Sequence, residues 1–189
     1  MTTTPIVPIL LTDNLVKALA IDGIEPAEYR PSYDGTSIGL DLYNVGPDQH
    51  IPPTTIDISH DWAFGEDARE EIVKEQFDKT FKKLIPTGLK ISLPPGWVAL
   101  IQERGSITKT PLKLRAGVID PGYTGEVFVN CVNLSVKPWE ITQGEKLPFQ
   151  LIVLRANTNF KHIGLDEYLE LTQNSTRKHR MIGSSDHNK

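Results

Sequence analysis

A series of short apolar runs, separated by turn-forming residues, most constrains the fold of this 189-residue chain. Residues 94–96 read Pro-Pro-Gly and make a strong turn between two of these runs. Many short strands with frequent turns are typical of a jelly roll or barrel and not of alternating βαβ units. We therefore predict a mainly β fold, either a distorted jelly roll or a β-barrel. The predicted strands are 38–43, 88–93, 97–101, 127–132 and 147–154.

A short amphipathic helix is predicted ahead of the first strand. Asp13 and Asn14 supply an Asx N-cap, apolar residues follow at helical spacing, and Gly23 closes the segment. Residues 25–36 contain Pro, Gly and Asp and predict a loop.

A second helix is predicted inside an inserted segment, 46–84. Residues 66–83 mix apolar and charged side chains at helical spacing, with Gly65 before them and Pro86 just beyond. This length corresponds to about four turns. Three roles remain open for the helix: covering a sheet edge, packing on a neighbouring subunit or binding a partner.

The composition is that of an ordinary soluble globular domain, with 39% hydrophobic and 23% charged residues. A net charge of −4 gives no electrostatic reason to expect nucleic-acid binding. The single cysteine, Cys131, lies in a strand run and is expected to be a small core residue. Neither a signal peptide nor a membrane-spanning run is evident, so we expect a cytosolic protein.

One turn places a carboxylate where it can face a ligand. In residues 116–125 an apolar strand run ends at Asp120, and Pro121-Gly122 turns the chain back into 126–129 as a hairpin. Asp120 then lies at the rigid mouth of the hairpin. A purely structural alternative is that Asp120 caps the turn with its own side chain.

The chain carries five notable segments, 37–43, 103–106, 116–125, 143–152 and 177–185. In this order they resemble the motifs of the trimeric dUTPase and dCTP deaminase superfamily, and the resemblance covers roughly residues 8–45 and 85–185. The fourth carries one extra residue, which a β-bulge would absorb. The resemblance implies a jelly roll, a homotrimer with sites between subunits, and magnesium-dependent hydrolysis of dUTP to dUMP and pyrophosphate.

The resemblance also implies a role for each residue around the reacting phosphate. Asp120 is expected to meet the sugar 3′-hydroxyl and to act as general base for the attacking water. Tyr123 is expected to lie against the deoxyribose and to exclude a 2′-hydroxyl, and Gly117 is expected to bind substrate. Asp41 is expected to help hold hydrated magnesium through water. The structural alternatives are hairpin packing for Tyr123 and a solvated strand position for Asp41.

The remaining candidates are expected to bind the phosphate chain. Arg104 offers a guanidinium fork, although Gly105 follows it where the family has Ser, so Ser106 is the shifted candidate. Gln150 resembles the fourth-motif glutamine, with a half-buried strand glutamine as the alternative. Arg177 and Ser184 belong to the fifth motif.

The C-terminal tail departs most from the family pattern. The family's glycines are replaced by 178–181, which read Lys-His-Arg-Met, and its stacking Phe is replaced by Ile182. Such a tail can neutralise phosphate but stacks less well on a base; a basic surface tail is the alternative. We predict one domain, 1–174, followed by a basic, flexible tail, 175–189.

Deamination is not expected, because its proton-moving groups are missing. The glutamate needed ten residues after Asp120 is Asn130, which is no general base. The catalytic Ser and Arg of deaminases correspond to Gly105 and Lys109, and their His to Gly117. Two alternatives to dUTP hydrolysis remain: a pyrophosphatase for another or modified deoxypyrimidine triphosphate, and a non-catalytic nucleotide-binding or interaction protein.

Overall fold

The computed structural model describes residues 7–30, 38–54, 71, 74–75, 83–156 and 162–173. The chain divides into two compact units, Met1–Asn157 and Thr158–Lys189. In the second unit the described element is helix α2, Leu165–Thr172. The division into a domain 1–174 and a tail 175–189 stays a prediction.

The first unit consists mostly of short strands, as predicted. The helical elements whose bounds lie within its described residues are α1 (Asp13–Ile21) and two 3-10 helices, Pro26–Glu28 and Gly105–Lys109. Its strands are β1 (Ile9–Leu11), β2 (Leu40–Tyr43), β3 (Gln49–Ile51), β4 (Ile85–Pro86), β5 (Leu89–Ile91), β6 (Trp97–Glu103), β7 (Leu112–Leu114), β8 (Val118–Ile119), β9 (Phe128–Val129), β10 (Cys131–Asn133), β11 (Trp139–Ile141) and β12 (Lys146–Arg155).

One four-stranded antiparallel sheet organises this unit, with strand order β2-β12-β6-β8. The ten-residue strand β12 lies between β2 and β6. The other strands form antiparallel pairs: β1-β5, β3-β11, β4-β9 and β7-β10. The predicted strand 127–132 is interrupted at Asn130, because β9 pairs with β4 whereas β10 pairs with β7.

Helix α1 forms as predicted but begins with a different cap. The N-cap is Thr12, whose Oγ1 accepts a hydrogen bond from Leu15 N at 3.4 Å, and Asp13 is already helical. The Asx-cap prediction is therefore wrong, because the hydroxyl one residue earlier reaches the free N–H first. Gly23 follows the helix at φ +71°, as a terminal glycine should.

Gly88 seats α1 against the strands. Its backbone has φ +67°, and an added Cβ would lie 2.4 Å from Thr12 Oγ1 and 2.9 Å from Leu15 Cβ. Thr12 N also donates to Gly88 O at 2.9 Å. Only glycine fits this combination of backbone conformation and close approach.

Thr87 and Gly88 also connect the start of α1 to the segment that follows the Asp120 turn. Gly88 N donates to Glu126 Oε1 at 2.7 Å, and Thr87 Oγ1 donates to Val127 O at 2.6 Å. Thr87 is fully buried. The pair Thr87-Gly88 therefore holds the start of α1 on one side and the Glu126-Val127 backbone on the other.

A single apolar core joins α1 to the strands. Leu15 and Leu19 are fully buried there. Cys131 is 1% exposed, and burial raises the pKa of its thiol to about 12, so the prediction of a core cysteine is confirmed. Other fully buried side chains of this core are Leu42, Tyr43, Ile85, Leu89, Val129, Leu147 and Phe149.

Most of the predicted inserted helix, 66–83, lies outside the described residues. Glu71, Lys74 and Glu75 are described, and all three are helical and exposed. In the predicted loop 25–36, Pro26–Glu28 forms a 3-10 helix and residues 31–37 lie outside the described part. Among the described residues, no helix is both long and apolar enough to span a membrane.

Glu103 connects the end of β6 to β7. Its Oε1 accepts from Leu114 N at 3.0 Å, and its Oε2 pairs with Lys113 Nζ at 3.1 Å. The backbone hydrogen bond from Leu114, assisted by Lys113, holds the pKa of Glu103 below its ordinary value of 4.5. A depressed folded-state pKa stabilises the fold above the unfolded-state value, and this contribution disappears as the pH falls through the folded-state value.

We therefore expect Glu103→Gln to lower the free energy of unfolding at pH 7 by about 1 kcal/mol. The difference should shrink as the pH falls below 4.5, because the protonated glutamate loses the same interactions. Urea denaturation between pH 3 and pH 7 measures it, with exposed Glu25→Gln as the control for lost charge. A difference that does not change with pH would contradict this account.

Candidate functional site

A polar cavity of about 790 Å³ lies where β2, β12 and the end of β6 meet. It brings together four predicted site residues from three motifs. They are Asp41, Arg104, Ser106 and Gln150. The cavity is also lined by Ile24, Glu28, Tyr29, Arg30, Gly39, Tyr43 and Gly105.

The register of the sheet explains this convergence. Gln150 of β12 lies opposite Asp41 of β2 and opposite Gln102 of β6. Four residues earlier, Lys146 lies opposite Tyr43, with a shift in register between the two pairs. The ladder is thus irregular in the segment where a bulge was predicted, with four residues of β12 against two of β2.

Arg104 is anchored at two points of its guanidinium. Its Nε lies 2.9 Å from Asp41 Oδ1, and its Nη1 donates to Leu147 O at 3.4 Å. A guanidinium carries five N–H donors, so two anchors leave donors for an anion in the cavity that Arg104 lines. The arrangement suits a phosphate oxygen.

Asp41 lies between two cations, and the charges continue beyond it. Lys146 Nζ is 3.7 Å from Asp41 Oδ2 and 3.2 Å from Asp22 Oδ2. Tyr43 donates its hydroxyl to Asp22 Oδ2 at 2.8 Å, and this hydrogen bond, with help from Lys146, lowers the pKa of Asp22. Positive and negative groups therefore alternate in the order Arg104, Asp41, Lys146, Asp22.

The segment after α1 forms one wall of this cavity. Tyr29 is buried, lines the cavity and donates its hydroxyl to the backbone oxygen of Asp41. Burial raises the pKa of Tyr29, so the hydroxyl remains a donor. Ile24, Glu28 and Arg30 line the same wall.

The sequence reasoning missed several of these residues. Strand alternation would have found two, because Tyr43 follows Asp41 by two positions and Lys146 precedes Gln150 by four. Asp22 and Tyr29 gave no comparable signal, since their approach depends on how α1 packs on the sheet.

A second cavity, of about 490 Å³, lies beside the Asp120 turn. Three predicted site residues line it: Gly117, Asp120 and Tyr123. Asn130 lines it as well, and its Nδ2 donates to Lys83 O at 2.8 Å. The remaining lining is mostly apolar, from Leu84, Ile101, Ala116, Val118, Ile119, Val127 and Phe128.

The turn itself forms as predicted. Tyr123 N donates to Asp120 O at 3.2 Å, and Gly122 has φ +87° after Pro121, as a type II turn requires. The hairpin prediction is wrong. Strand β8 pairs with β6, whereas β9 pairs with β4, so the two arms separate around the cavity instead of bonding to each other.

Tyr123 is fixed above the turn. Its hydroxyl donates to Glu126 O at 2.6 Å, and a Cβ added at Gly125 would lie 2.6 Å from that hydroxyl. The ring therefore folds back over a glycine while remaining 43% exposed. Asp120 is exposed beside it.

The two cavities have no lining residue in common. Within one chain the structure groups Asp41, Arg104, Ser106 and Gln150 in one, and Gly117, Asp120 and Tyr123 in the other. Arg177 and Ser184 lie outside the described residues. The phosphate-binding candidates and the candidate base thus line different cavities of the same chain.

The donor set suits a cation that keeps its waters. Among the described residues, no three His, Cys, Asp or Glu side chains are close enough to hold a metal together. Two carboxylate residues, Asp41 and Glu28, line the first cavity, and Asp41 Oδ1 is already paired to Arg104. Magnesium, which retains most of its water ligands and takes phosphate oxygens, fits such a site through water.

Comparison with known proteins places the chain in a family. The model of the dUTPase family matches residues 68–186, which is more than half of the chain. The chain therefore belongs to the dUTPase family.

Two curated relatives match shorter parts. The deoxyuridine 5′-triphosphate nucleotidohydrolase of Dictyoglomus turgidum is 40% identical over 80 residues, covering 38% of this chain and 50% of the relative. The Pol polyprotein of Equine infectious anemia virus is 38% identical over 77 residues, covering 41% of this chain and 7% of the polyprotein. The chain thus spans half or less of the length of these relatives.

Solved structures extend the likeness over nearly the whole chain. A mutant dUTPase of Staphylococcus bacteriophage 80alpha with dUpNHpp superposes with a TM-score of 0.61 at 19% identity, covering 96% of this chain and 99% of that one. At this identity the likeness concerns the fold, and it confirms the predicted jelly-roll-like architecture.

Gly39 leaves room for the Gln150 side chain. A Cβ added at Gly39 would lie 1.9 Å from Gln150 Oε1 and 2.5 Å from its Cδ. Because Gln150 is flexible, we expect Gly39→Ala to keep the fold but displace the amide from the cavity. The variant should weaken dUTP binding about as much as Gln150→Ala, and the double variant should be no weaker than Gln150→Ala alone.

Titration calorimetry with a non-hydrolysable imido analogue of dUTP measures these affinities. Gly164→Ala is the matched control, because its added Cβ meets no atom within 4 Å. Additive losses in the double variant would contradict the steric account.

Proposed function

We propose that this protein hydrolyses dUTP to dUMP and pyrophosphate with magnesium. The observation that carries the proposal is the convergence of Asp41, Arg104 and Gln150, from three separate family motifs, on one polar cavity. Membership of the dUTPase family supports the choice of reaction and substrate.

Asp120 is the proposed general base. Its carboxylate is exposed on a type II turn whose backbone is fixed by Pro121 and Gly122, so it can meet a water beside the nucleotide. The base takes a proton as the water oxygen bonds to the α-phosphorus. The bond from that phosphorus to the bridging oxygen breaks, and pyrophosphate leaves.

Arg104, Gln150 and Ser106 are the proposed phosphate ligands, joined by Arg177 and Ser184 of the tail. The anchored Arg104 guanidinium would stabilise charge that develops on the phosphate oxygens. Asp41 would hold the magnesium through water, and the metal would supply further neutralisation of the triphosphate.

Tyr123 is the proposed sugar gate. Its ring is held in place by the hydrogen bond from its hydroxyl to Glu126 O. Moving the ring aside to admit a 2′-hydroxyl would break this hydrogen bond. The cavity beside it lies between β8 and β9, which do not pair with each other. Backbone groups of these two strands would therefore be available to the nucleobase.

The complete site is proposed to form between subunits of a homotrimer. The phosphate-binding candidates and the candidate base line separate cavities of one subunit, so a neighbour would supply the missing half. The first cavity of one subunit would then face the Asp120 turn of the next.

Deamination is not supported by the second cavity. A Cβ added at Gly117 would lie 2.8 Å from Ile101 O, so the histidine of deaminases has no room there. Asn130 holds an amide where deaminases need a carboxylate, and that amide donates to Lys83 O.

The first test is incubation of the purified protein with magnesium and, separately, dUTP, dCTP, dTTP, dATP and UTP, with products resolved by chromatography. We expect dUTP alone to give dUMP and pyrophosphate. Turnover of another deoxynucleotide would show that dUTP is not the substrate and would leave the proposed mechanism standing. Binding without any product would contradict hydrolysis.

Asp120→Asn completes this test. Asparagine is equally suited to the turn, so the fold should persist, while loss of the base should lower kcat by about 10²–10⁴-fold. Exposed Asp48→Asn, which removes the same charge elsewhere, should leave kcat unchanged. Activity of Asp120→Asn near that of the unmodified protein would rule out the proposed base.

Sites shared between subunits predict complementation. Arg104→Ala and Asp120→Asn chains are each expected to be inactive, but co-expression should create interfaces that combine an intact Arg104 with a neighbour's intact Asp120. Random mixing of equal amounts restores about a quarter of the interfaces in a cyclic trimer. Mixed oligomers, verified by native mass spectrometry, that stay inactive would contradict shared sites.

A further inference from the structure

Lys146 lies between two carboxylates and is closer to the one outside the cavity. Its Nζ is 3.2 Å from Asp22 Oδ2 and 3.7 Å from Asp41 Oδ2. The side chains in this row of alternating charges are each 28–35% exposed, so water screens their interactions only in part. They are Arg104, Asp41, Lys146 and Asp22. The position of Lys146 therefore depends on both carboxylates.

Asp22 is held rigidly enough to fix Lys146. Its backbone N–H ends α1 by donating to Leu19 O at 3.0 Å, and its Oδ2 accepts the Tyr43 hydroxyl at 2.8 Å. Tyr43 is fully buried, and Lys146 Nζ lies 5.5 Å from the centroid of its ring. A core side chain thus fixes the carboxylate and also provides an aromatic ring for the ammonium.

The two oxygens of Asp41 are consequently in different situations. Oδ1 is paired with Arg104 at 2.9 Å, whereas Oδ2 has the ammonium of Lys146 at a distance longer than a hydrogen bond. Among the described residues, Lys146 pairs with the carboxylates of Asp22 and Asp41. Without the charge of Asp22, the Lys146 ammonium would therefore pair with Asp41 and move onto its Oδ2.

We propose that Asp22 is a positioning residue of the nucleotide site, which holds Lys146 away from Asp41 and keeps Asp41 Oδ2 accessible to hydrated magnesium. This inference rests on the proposed function and adds the helix α1 to the site. Asp22 touches neither substrate nor metal and acts through Lys146.

Asp22→Asn is the decisive variant. Asparagine has the same shape, its side-chain oxygen still accepts the Tyr43 hydroxyl, and the backbone cap of α1 is untouched. We expect its affinity for a non-hydrolysable imido analogue of dUTP to fall about fivefold in magnesium and to stay unchanged in EDTA. Titration calorimetry gives both affinities independently of turnover.

Removal of Lys146 should cancel the effect. Lys146→Met alone is expected to change the magnesium-dependent affinity less than about twofold, and Asp22→Asn with Lys146→Met should match it. A merely structural role of Asp22 would not be rescued in this way. Asp48→Asn controls for the lost charge, since Asp48 contacts the backbone N–H of Gln143 instead.

Three results would overturn the inference. The first is an Asp22→Asn variant that binds the analogue as tightly as Asp48→Asn does. The second is an equal loss of affinity of Asp22→Asn in magnesium and in EDTA. The third is a loss of affinity caused by Asp22→Asn that persists when Lys146→Met is also present. Turnover of dUTP by the unmodified protein is measured in the same preparations. Its absence refutes the proposed function, whereas turnover combined with any of the three results refutes the role of Asp22 alone.

Discussion

The pairing of β12 with two strands at once is the constraint on which the first cavity depends. Because β12 bonds to β2 on one side and to β6 on the other, residues far apart in the chain become neighbours across the ladder. Asp41 and Gln150 face each other, and Arg104 follows directly after β6. Between Lys146 and Gln150 the register shifts, with four residues of β12 against two of β2. Because the difference is even, the side chains of Lys146 and Gln150 lie on the same face of the sheet as those of Tyr43 and Asp41.

The sequence was sufficient for most elements of the fold because their signals are local. Apolar runs and turn residues located the strands, and Gly23 located the end of α1. The cap was assigned one residue too late, since Ser, Thr, Asp and Asn compete for the same N–H groups and only geometry decides among them. The hairpin prediction failed for a different reason: a turn sets the direction of two arms but not their partners, and here the arms pair with β6 and β4.

The site shows the same division between local and non-local information. Family motifs identified Asp41, Arg104 and Gln150, and the structure brings them together. They also identified Asp120 and Tyr123, which line a separate cavity in this chain. No motif pointed to Asp22 or Tyr29, because their contacts with Lys146 and Asp41 arise from the packing of α1 and the chain after it on the sheet.

The contact at Thr87-Gly88 has a consequence for modularity. One face of this dipeptide holds the start of α1, and its other groups bind the backbone and side chain of Glu126-Val127, which follows the Asp120 turn. The N-terminal segment is therefore an integral part of the first unit and not an appendage. A chain shortened to begin at β2 would lose a wall of the core, a wall of the first cavity and the packing around Gly88, which anchors the Glu126-Val127 arm.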